Sequence, residues 1–137
     1  MTDTLVDTNV LIDVLTKDPQ WFAWSSRMLA EAVDLGALVV SQIAYAEIGA
    51  SYSDQGILDA ILSEEAFRRE DLPWDAAFLA GQAYVAYRRR GGAKTSPLPD
   101  FFIGAHAAAC GYRLLTRDRG HYAAYFPTLD IISPERS

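Results

Sequence analysis

Residues 4–13 read Thr4-Leu5-Val6-Asp7-Thr8-Asn9-Val10-Leu11-Ile12-Asp13, a short apolar run joined directly to a helical pattern. The run Thr4–Asp7 is too short for a helix and lacks the polar alternation of a half-exposed strand, so it predicts a strand buried on both faces. The pattern that follows predicts a helix over Asn9–Thr16. A buried strand that leads into a helix is typical of a parallel α/β sheet, and here Asp7 lies at the carboxyl end of the strand.

The rest of the chain repeats this alternation of strand and helix. Three further apolar runs predict buried strands at Ala37–Val40, Arg113–Thr116 and Leu129–Ile132. Capping residues and helix-ending glycines predict helices from Pro19 to about Asp34, Ser41 to about Ser53, Asp54 to about Phe67, Asp75 to about Arg90 and Pro99 to Cys110. We therefore expect residues 1–137 to form one α/β domain, with a central parallel sheet of four to five strands covered by helices on both faces.

Composition excludes several classes of protein. Half of the 137 residues are apolar, which excludes a disordered chain, and the longest uncharged runs are shorter than the roughly 18 residues that cross a bilayer. No leader peptide is visible, and Cys110 is the only cysteine, so we expect it to be a small buried side chain in a cytoplasmic protein. The formal charge of −6 argues against a general binder of polyanions, but not against a nuclease with one acidic metal site.

Three aspartates fall at one edge of the predicted sheet. Asp7 ends the first strand, Asp118 follows the strand over Arg113–Thr116 by two residues, and Asp100 lies in the first turn of a helix. Taken singly, each is typical of a turn or of a helix start. Ligands of open parallel sheets, however, bind beyond the carboxyl ends of the strands, where these three carboxylates are expected to converge.

Glu47 favours the functional interpretation of this edge. Its helical neighbours are Ile43, Ala44, Ala50 and Ser51, so we expect a carboxylate on an apolar face that a cation must neutralise. Four neighbouring carboxylates cannot all stay ionised without a cation. Hard oxygen ligands without paired His or Cys select Mg²⁺ or Mn²⁺, which suits phosphoryl chemistry with an activated water.

Four segments together resemble the PIN domain, and most closely the VapC toxins of bacterial toxin–antitoxin pairs. These segments are Leu5–Asp13, Ser41–Glu47, Pro99–Ala105 and Leu115–Asp118, and the resemblance covers essentially the whole chain. It implies a Mg²⁺- or Mn²⁺-dependent endoribonuclease that hydrolyses RNA, forms a homodimer and is held inactive by a cognate antitoxin.

The resemblance also implies roles for individual residues. The implied catalytic and metal-binding residues share an acidic side chain: Asp7, Glu47, Asp100 and Asp118. Glu47 is expected to act directly or through water. Thr116 is implied as a further catalytic residue that holds water or a carboxylate, and Asn9 as the polar residue that follows the first acid. Asp13 lies in the first motif, and we interpret it as a solvated helix residue.

Basic residues near the acids are candidates for binding RNA phosphates, together with Asn9. They are Arg88, Arg89, Arg90, Lys94 and Arg117. The arginine run is equally typical of a helix end, where the macrodipole favours cations. His106 lies in an apolar helix without a spaced partner, and we interpret it as a hydrogen-bonded core residue.

Two aromatic groups have both a core and a partner-binding interpretation. Trp21, Phe22 and Trp24 open one helix, and Tyr45 and Tyr52 lie seven residues apart on the helix of Glu47. Core packing is the default for both groups. Part of the first group, however, is expected to be a partner surface, and the tyrosine stripe would suit a groove for an antitoxin helix.

Other functions are weighed against the nuclease. A PIN-like module that binds RNA or protein without cleaving remains an alternative, although the presence of all four acids counts against it. A receiver-like signalling domain needs a lysine at the end of a late strand, and the only lysines, Lys17 and Lys94, are not at strand ends. A haloacid-dehalogenase-type phosphatase is rejected because Asn9, and not a second aspartate, follows Asp7 by two residues.

Overall fold

The chain forms five short strands and seven helices over the residues that the computed structural model describes, 2–92 and 98–134. The strands are β1 (Thr4–Val6), β2 (Leu38–Ser41), β3 (Arg68–Glu70), β4 (Arg113–Leu115) and β5 (Ile131–Ile132). The helices are α1 (Thr8–Leu15), α2 (Phe22–Leu35), α3 (Gln42–Gly49), α4 (Gln55–Ile61), α5 (Trp74–Arg89), α6 (Leu98–Cys110) and α7 (Gly120–Tyr125). All strand pairs are parallel, in the order β3-β2-β1-β4-β5, and the predicted α/β fold is confirmed.

Each face of the sheet has its own apolar core. Leu5 and Leu114 pack with residues of α5, α6 and α7 on one face, whereas Val6 and Leu115 pack with residues of α1 to α4 on the other. Successive strand residues point to opposite faces, so a strand covered on both sides is apolar throughout. This is why the central strands could be predicted from uninterrupted apolar runs.

Strand β3 was not predicted, because its side chains are charged. The helix predicted to run from Asp54 to about Phe67 ends earlier, at Ile61, and the chain then turns into the edge of the sheet. Arg68 Nη2 donates to Asp3 Oδ2 at 2.9 Å, so the guanidinium is neutralised at this edge. Charged side chains are common on edge strands, which need no apolar run to pair with the sheet.

Other element boundaries also differ from the prediction. Helix α2 begins at Phe22 and not at Pro19, because Asp18 Oδ2 accepts hydrogen bonds from two backbone N–H groups at 3.0 and 2.8 Å and holds a turn there. Helix α3 ends at Gly49, before the predicted end at Ser53. Helix α7 was not predicted at all.

Cys110 is exposed, so the prediction of a buried thiol is wrong. The buried part of α6 runs from Phe101 to Ala107, and its last turn lies at the surface, where Gly111 follows with a φ of 72°. His106 is fully buried and hydrogen-bonded, as predicted. No helix in residues 2–92 and 98–134 combines the length and the apolar character that crossing a bilayer requires.

The carboxyl ends of β1, β2 and β4 meet at one edge of the sheet. Val6 is in register with Leu115, so the residues that follow these strands, Asp7 and Thr116, lie side by side. At the end of β2, the Ser41 hydroxyl accepts a hydrogen bond from a backbone N–H of the first turn of α3. This cap starts the helix at the edge of the sheet, and the edge is therefore where the candidate acids come together.

Candidate active site

Asp7 forms the buried floor of the site, with 3% of its surface exposed. It caps α1 through Oδ1, which accepts from the Thr8 backbone N–H at 2.7 Å. Its Oδ2 accepts from the Thr116 hydroxyl at 2.7 Å and from the Tyr122 hydroxyl at 2.9 Å. Burial raises the pKa of Asp7, the negative charge of Glu47 raises it further, and the hydrogen bonds act in the opposite direction.

Asp100 lies half-buried in the first turn of α6 and is electrostatically coupled to the other acids. Burial is the largest cause that raises the pKa of this carboxyl to about 6, followed by the negative charges of Asp7, Glu47 and Asp118. A hydrogen bond with Tyr122 acts in the opposite direction. Because Coulomb interactions weaken with distance, coupling to all three acids indicates that the four carboxylates share one neighbourhood.

Glu47 and Asp118 form the exposed rim of the site. The prediction that Glu47 occupies a buried apolar face is wrong, because α3 turns this side chain towards solvent. Its position is nevertheless defined, since Glu47 Oε1 accepts from the Thr8 hydroxyl at 2.7 Å. The backbone N–H of Asp118 donates to the Thr116 hydroxyl at 3.1 Å, which fixes the start of the loop after β4.

Thr116 and Asn9 connect the acids. The buried Thr116 hydroxyl, besides donating to Asp7, accepts from Asn9 Nδ2 at 3.3 Å. Asn9 Nδ2 also lies 3.4 Å from Asp7 Oδ2, and its Oδ1 accepts from the Arg117 backbone N–H at 3.2 Å. Both residues therefore hold the buried carboxylate and the β4 loop in place.

Tyr122 is a site residue that sequence reasoning missed, because α7 was not predicted. A Cβ at position 104 would lie 2.9 Å from a ring carbon of Tyr122 and 2.7 Å from one of Phe126. Only glycine at this position lets α7 pack closely against α6 and bring the phenol to the acids. The spacing of Tyr122, Tyr125 and Phe126 is that of one helix face and was the available signal.

Removing the Tyr122 hydroxyl is expected to make both buried acids harder to ionise. In Tyr122→Phe, Asp7 loses the hydrogen bond that the phenol donates to it, and Asp100 loses the influence of the same hydroxyl, which lowers its pKa, so both pKa values rise. The pH dependence of Mn²⁺ binding, measured by titration calorimetry, should move to higher pH, and the free energy of unfolding should fall by about 1 kcal/mol. Tyr84→Phe is the matched control, and equal pH dependence in both variants would contradict the assignment.

The predicted arginine run is largely occupied by contacts within the protein. Arg88 Nη1 donates to a backbone carbonyl in the turn after α5, and the Arg90 guanidinium lies 5.0 Å from the ring centroid of Tyr125. Arg89 is exposed. Lys94 lies outside the described residues.

Arg117 bridges the site to the face that carries α1 and α2. Its Nε donates to Asp13 Oδ2 at 2.6 Å, and its guanidinium lies 5.3 Å from the ring centroid of Trp21. Asp13 is almost completely buried and also accepts from the Ser25 hydroxyl at 2.8 Å. The interpretation of Asp13 as a solvated residue is therefore wrong, because its carboxylate joins two helices to the β4 loop.

The four acids form an uncompensated set of hard oxygen ligands. Within residues 2–92 and 98–134, no Lys or Arg nitrogen lies within 4.0 Å of any of their carboxylate oxygens. No three of the four come within 4.8 Å of one another, so they do not form a closed shell. Such an open arrangement of carboxylates fits Mg²⁺ or Mn²⁺, which retain several water ligands.

Comparison with known proteins agrees with this fold. The sequence model of the family described as PIN domain matches residues 4–127. Similar solved structures include VapBC-1 from nontypeable Haemophilus influenzae, with a TM-score of 0.74, 20% identity and coverage of 96% of this chain and 98% of that chain. VapBC2 from Rickettsia felis, bound to a promoter DNA fragment, gives a TM-score of 0.70, 18% identity and coverage of 96% and 98%. FitAcB from Neisseria gonorrhoeae has a TM-score of 0.63 and 21% identity, and the match covers 95% of this chain and 96% of that chain. No curated protein matches.

Proposed function

Because the chain belongs to the PIN domain family, we propose that it is a Mg²⁺- or Mn²⁺-dependent endoribonuclease and the toxin of a toxin–antitoxin pair. The observation that carries the proposal is the acidic set around Asp7, in which burial and then the neighbouring negative charges raise the pKa of Asp100. Structures of similar fold support the toxin assignment, since they include VapBC complexes and a toxin–antitoxin complex from Klebsiella pneumoniae. Family membership sets the receiver-like alternative aside.

Asp7, Asp100 and Asp118 would hold the cation, with Glu47 acting directly or through water. When bound, the ion would supply a Lewis acid for the phosphate and lower the pKa of the attacking water. Thr116 and Tyr122 orient the Asp7 carboxylate through their hydroxyl groups. The hydrogen bond from Thr8 takes up Glu47 Oε1, so we assign to Glu47 Oε2 the task of receiving a proton from the attacking water.

Positive charge near the acids would bind the phosphates of RNA. Arg89 and Arg90 are both exposed, but the Arg90 guanidinium lies over the Tyr125 ring, so we assign Arg89, with Lys94, to direct phosphate contacts. Arg88, Arg90 and Arg117 add positive potential from positions that contacts within the protein hold.

The partner would be an antitoxin that places an arginine among the acids. Arginine binds carboxylates in bidentate fashion, and no Lys or Arg of the described residues forms an ion pair with these four. Helix α3 ends at Gly49, so the prediction that Tyr45 and Tyr52 form a stripe on one helix is wrong. Both side chains nevertheless line a cleft between α3 and α4, which we assign to a partner segment. Expression of the chain alone should arrest growth, and co-expression of the protein encoded beside it should relieve the arrest.

The enzymatic part of the proposal predicts cleavage of RNA that depends strictly on the added metal ion. Purified chain with structured RNA should produce discrete fragments in Mn²⁺ or Mg²⁺ and none in chelator, because the four acids alone supply no electrophile for the phosphate. Gel analysis of end-labelled RNA measures this directly. A catalytically silent PIN module would bind the RNA and leave it intact in every metal, and that outcome would refute the nuclease.

The homodimer would form through α5, which carries an exposed apolar stripe. Trp74 is 90% and Phe78 70% exposed, Val85 continues the same helical face, and the space beside Gly81 is open. Exposed aromatic side chains at this spacing are typical of a protein interface.

Phe78→Glu is expected to convert the dimer to a monomer. A charge buried at the centre of an apolar interface is strongly unfavourable, so light scattering should give a mass near 15.1 kDa for the variant and about twice that value for the wild type. Val33→Glu, at an exposed apolar position on α2, is the control and should remain dimeric. A monomeric wild type would contradict the assignment of this face.

A further inference from the structure

A second group of metal-ligating side chains lies outside the acidic site. Glu70 ends the edge strand β3, and His106 and Cys110 are one helical turn apart on α6. One donor atom from each of the three lies within 4.8 Å of the other two, a closer grouping than any three of the four acids achieve. The spacing i, i+4 places the imidazole and the thiol on one face of the helix, so both can reach one ion.

The contacts of Glu70 hold its carboxylate in a defined orientation towards His106. Glu70 Oε2 accepts from the Tyr112 hydroxyl at 2.6 Å and from Arg68 Nε at 3.0 Å. Glu70 Oε1 lies 3.1 Å from His106 Nε2. Partners that orient a ligand in this way are a regular feature of protein metal sites.

Within the part of the chain that the structure describes, His106 is buried with a hydrogen-bond partner at only one of its two ring nitrogens. The side chain is fully buried, yet its Nδ1 has no hydrogen-bond partner among the described residues. Buried polar groups without a partner are rare in proteins, because desolvation is then uncompensated. Among the described residues, the imidazole has one hydrogen-bond partner, Glu70, which lies at Nε2. Its other ring nitrogen, Nδ1, is therefore buried without a hydrogen bond to any of these residues.

We propose that Glu70, His106 and Cys110 bind Zn²⁺, with a water as the fourth ligand. A thiolate, an imidazole and a carboxylate form a donor set typical of zinc, whereas the all-oxygen set of the acidic site suits Mg²⁺ or Mn²⁺. The two negative ligands balance the charge of the ion, and the exposed Cys110 provides an entry path. The ion would join the edge strand β3 to the last turn of α6. This proposal does not depend on the nuclease activity.

Cobalt absorption tests the site specifically, because Cys110 is the only cysteine of the chain. Titration of the full chain with Co²⁺ should produce the thiolate-to-cobalt charge-transfer band in the near ultraviolet, and one equivalent of Zn²⁺ should remove it. Cys110→Ser should abolish the band. Glu70→Gln should weaken Co²⁺ binding at least about tenfold, and the exposed Glu65→Gln should leave it unchanged.

Thermal melts provide the second measurement. In an Asp100→Asn background, which weakens the acidic site, Zn²⁺ should raise the melting midpoint of the chain but not that of its Cys110→Ser derivative. Cys110→Ser changes an exposed position and is expected to fold, so the comparison holds even if a variant of the buried His106 does not. Absence of the band in the wild type, or equal Co²⁺ affinity in Glu70→Gln and Glu65→Gln, would overturn the proposal.

Discussion

Replacing Asp100 with asparagine is expected to reduce RNA cleavage by at least about a hundredfold while leaving the fold intact. A neutral amide is a poorer ligand for a hard divalent cation than a carboxylate, and losses of this size are typical even for partners that only orient a ligand. Asp100 is the most informative acid to change, because it lies in the first turn of α6 and its pKa is raised to about 6 by burial and by the other three charges. Single-turnover cleavage in saturating Mn²⁺ measures the effect.

The matched control is Asp34→Asn, an exposed aspartate near the end of α2, which should cleave at the wild-type rate. Asp7→Asn should also be inactive, but Asp7 caps α1 and accepts two buried hydroxyl groups, so its variant combines lost catalysis with lost stability. Near wild-type cleavage by folded Asp100→Asn would remove the basis for the site assignment.

The edge of the sheet that holds the site could be predicted because it depends on local patterns. An apolar run too short for a helix marks β1, and the residue after such a run lies at the carboxyl edge by topology alone. Asp7 and Thr116 were placed there correctly, since Val6 and Leu115 are in register.

The features that could not be predicted depend on contacts between distant segments. β3 pairs with β2 and also forms an ion pair between Arg68 and Asp3, residues far apart in sequence, and no apolar pattern records either contact. The burial of Asp13 depends on Arg117, whose approach the sequence does not reveal. Tyr122 reaches Asp7 because Gly104 leaves space for α7, a tertiary relation that a single sequence does not display.

Side-chain exposure was the property that the sequence predicted wrongly most often, and the errors at Glu47 and Cys110 have the same reason. Glu47 and Cys110 both have apolar neighbours in sequence, yet both side chains are exposed. Apolar neighbours at three and four residues define one stripe of a helix, and a residue at the margin of that stripe faces solvent as readily as core. Glu47 nevertheless couples to the buried acids, because a charge acts over a longer range than a packing contact.

The stability of the metal-free chain is expected to rise as the pH falls through 6. Burial and neighbouring charges raise the folded-state pKa of Asp100 from its ordinary value of 3.8 to about 6. A carboxyl group with a raised folded pKa binds more protons in the folded than in the unfolded state between these two values. Its unfavourable contribution is therefore complete above pH 6 and relieved as the pH falls towards 4. Asp7, with a pKa raised mainly by burial, contributes in the same direction.

Asp100→Asn should consequently stabilise the metal-free chain at pH 7.5 by about 1 kcal/mol, because solvent screening of this half-buried carboxyl reduces the roughly 3 kcal/mol that a shift of about two pKa units would represent. The gain should shrink at pH 5, where the wild-type carboxyl is largely protonated. Thermal melts in chelator at both pH values measure the difference, and the Asp34→Asn control should follow the wild type.

Added metal should invert this order of stability. A ligand that binds only the folded state stabilises it by about 2.7 kcal/mol when its concentration is a hundred times its dissociation constant. Mn²⁺ should therefore raise the free energy of unfolding of the wild type well above its metal-free value. Asp100→Asn has lost a metal ligand, so Mn²⁺ should stabilise it much less. The variant should therefore be more stable than the wild type in chelator and less stable than the wild type in Mn²⁺. A general effect of the substitution on folding would change the stability of the variant by the same amount in chelator and in Mn²⁺. The crossing therefore arises only if Asp100 both repels its neighbours and shares a cation with them, and parallel curves would refute a common site.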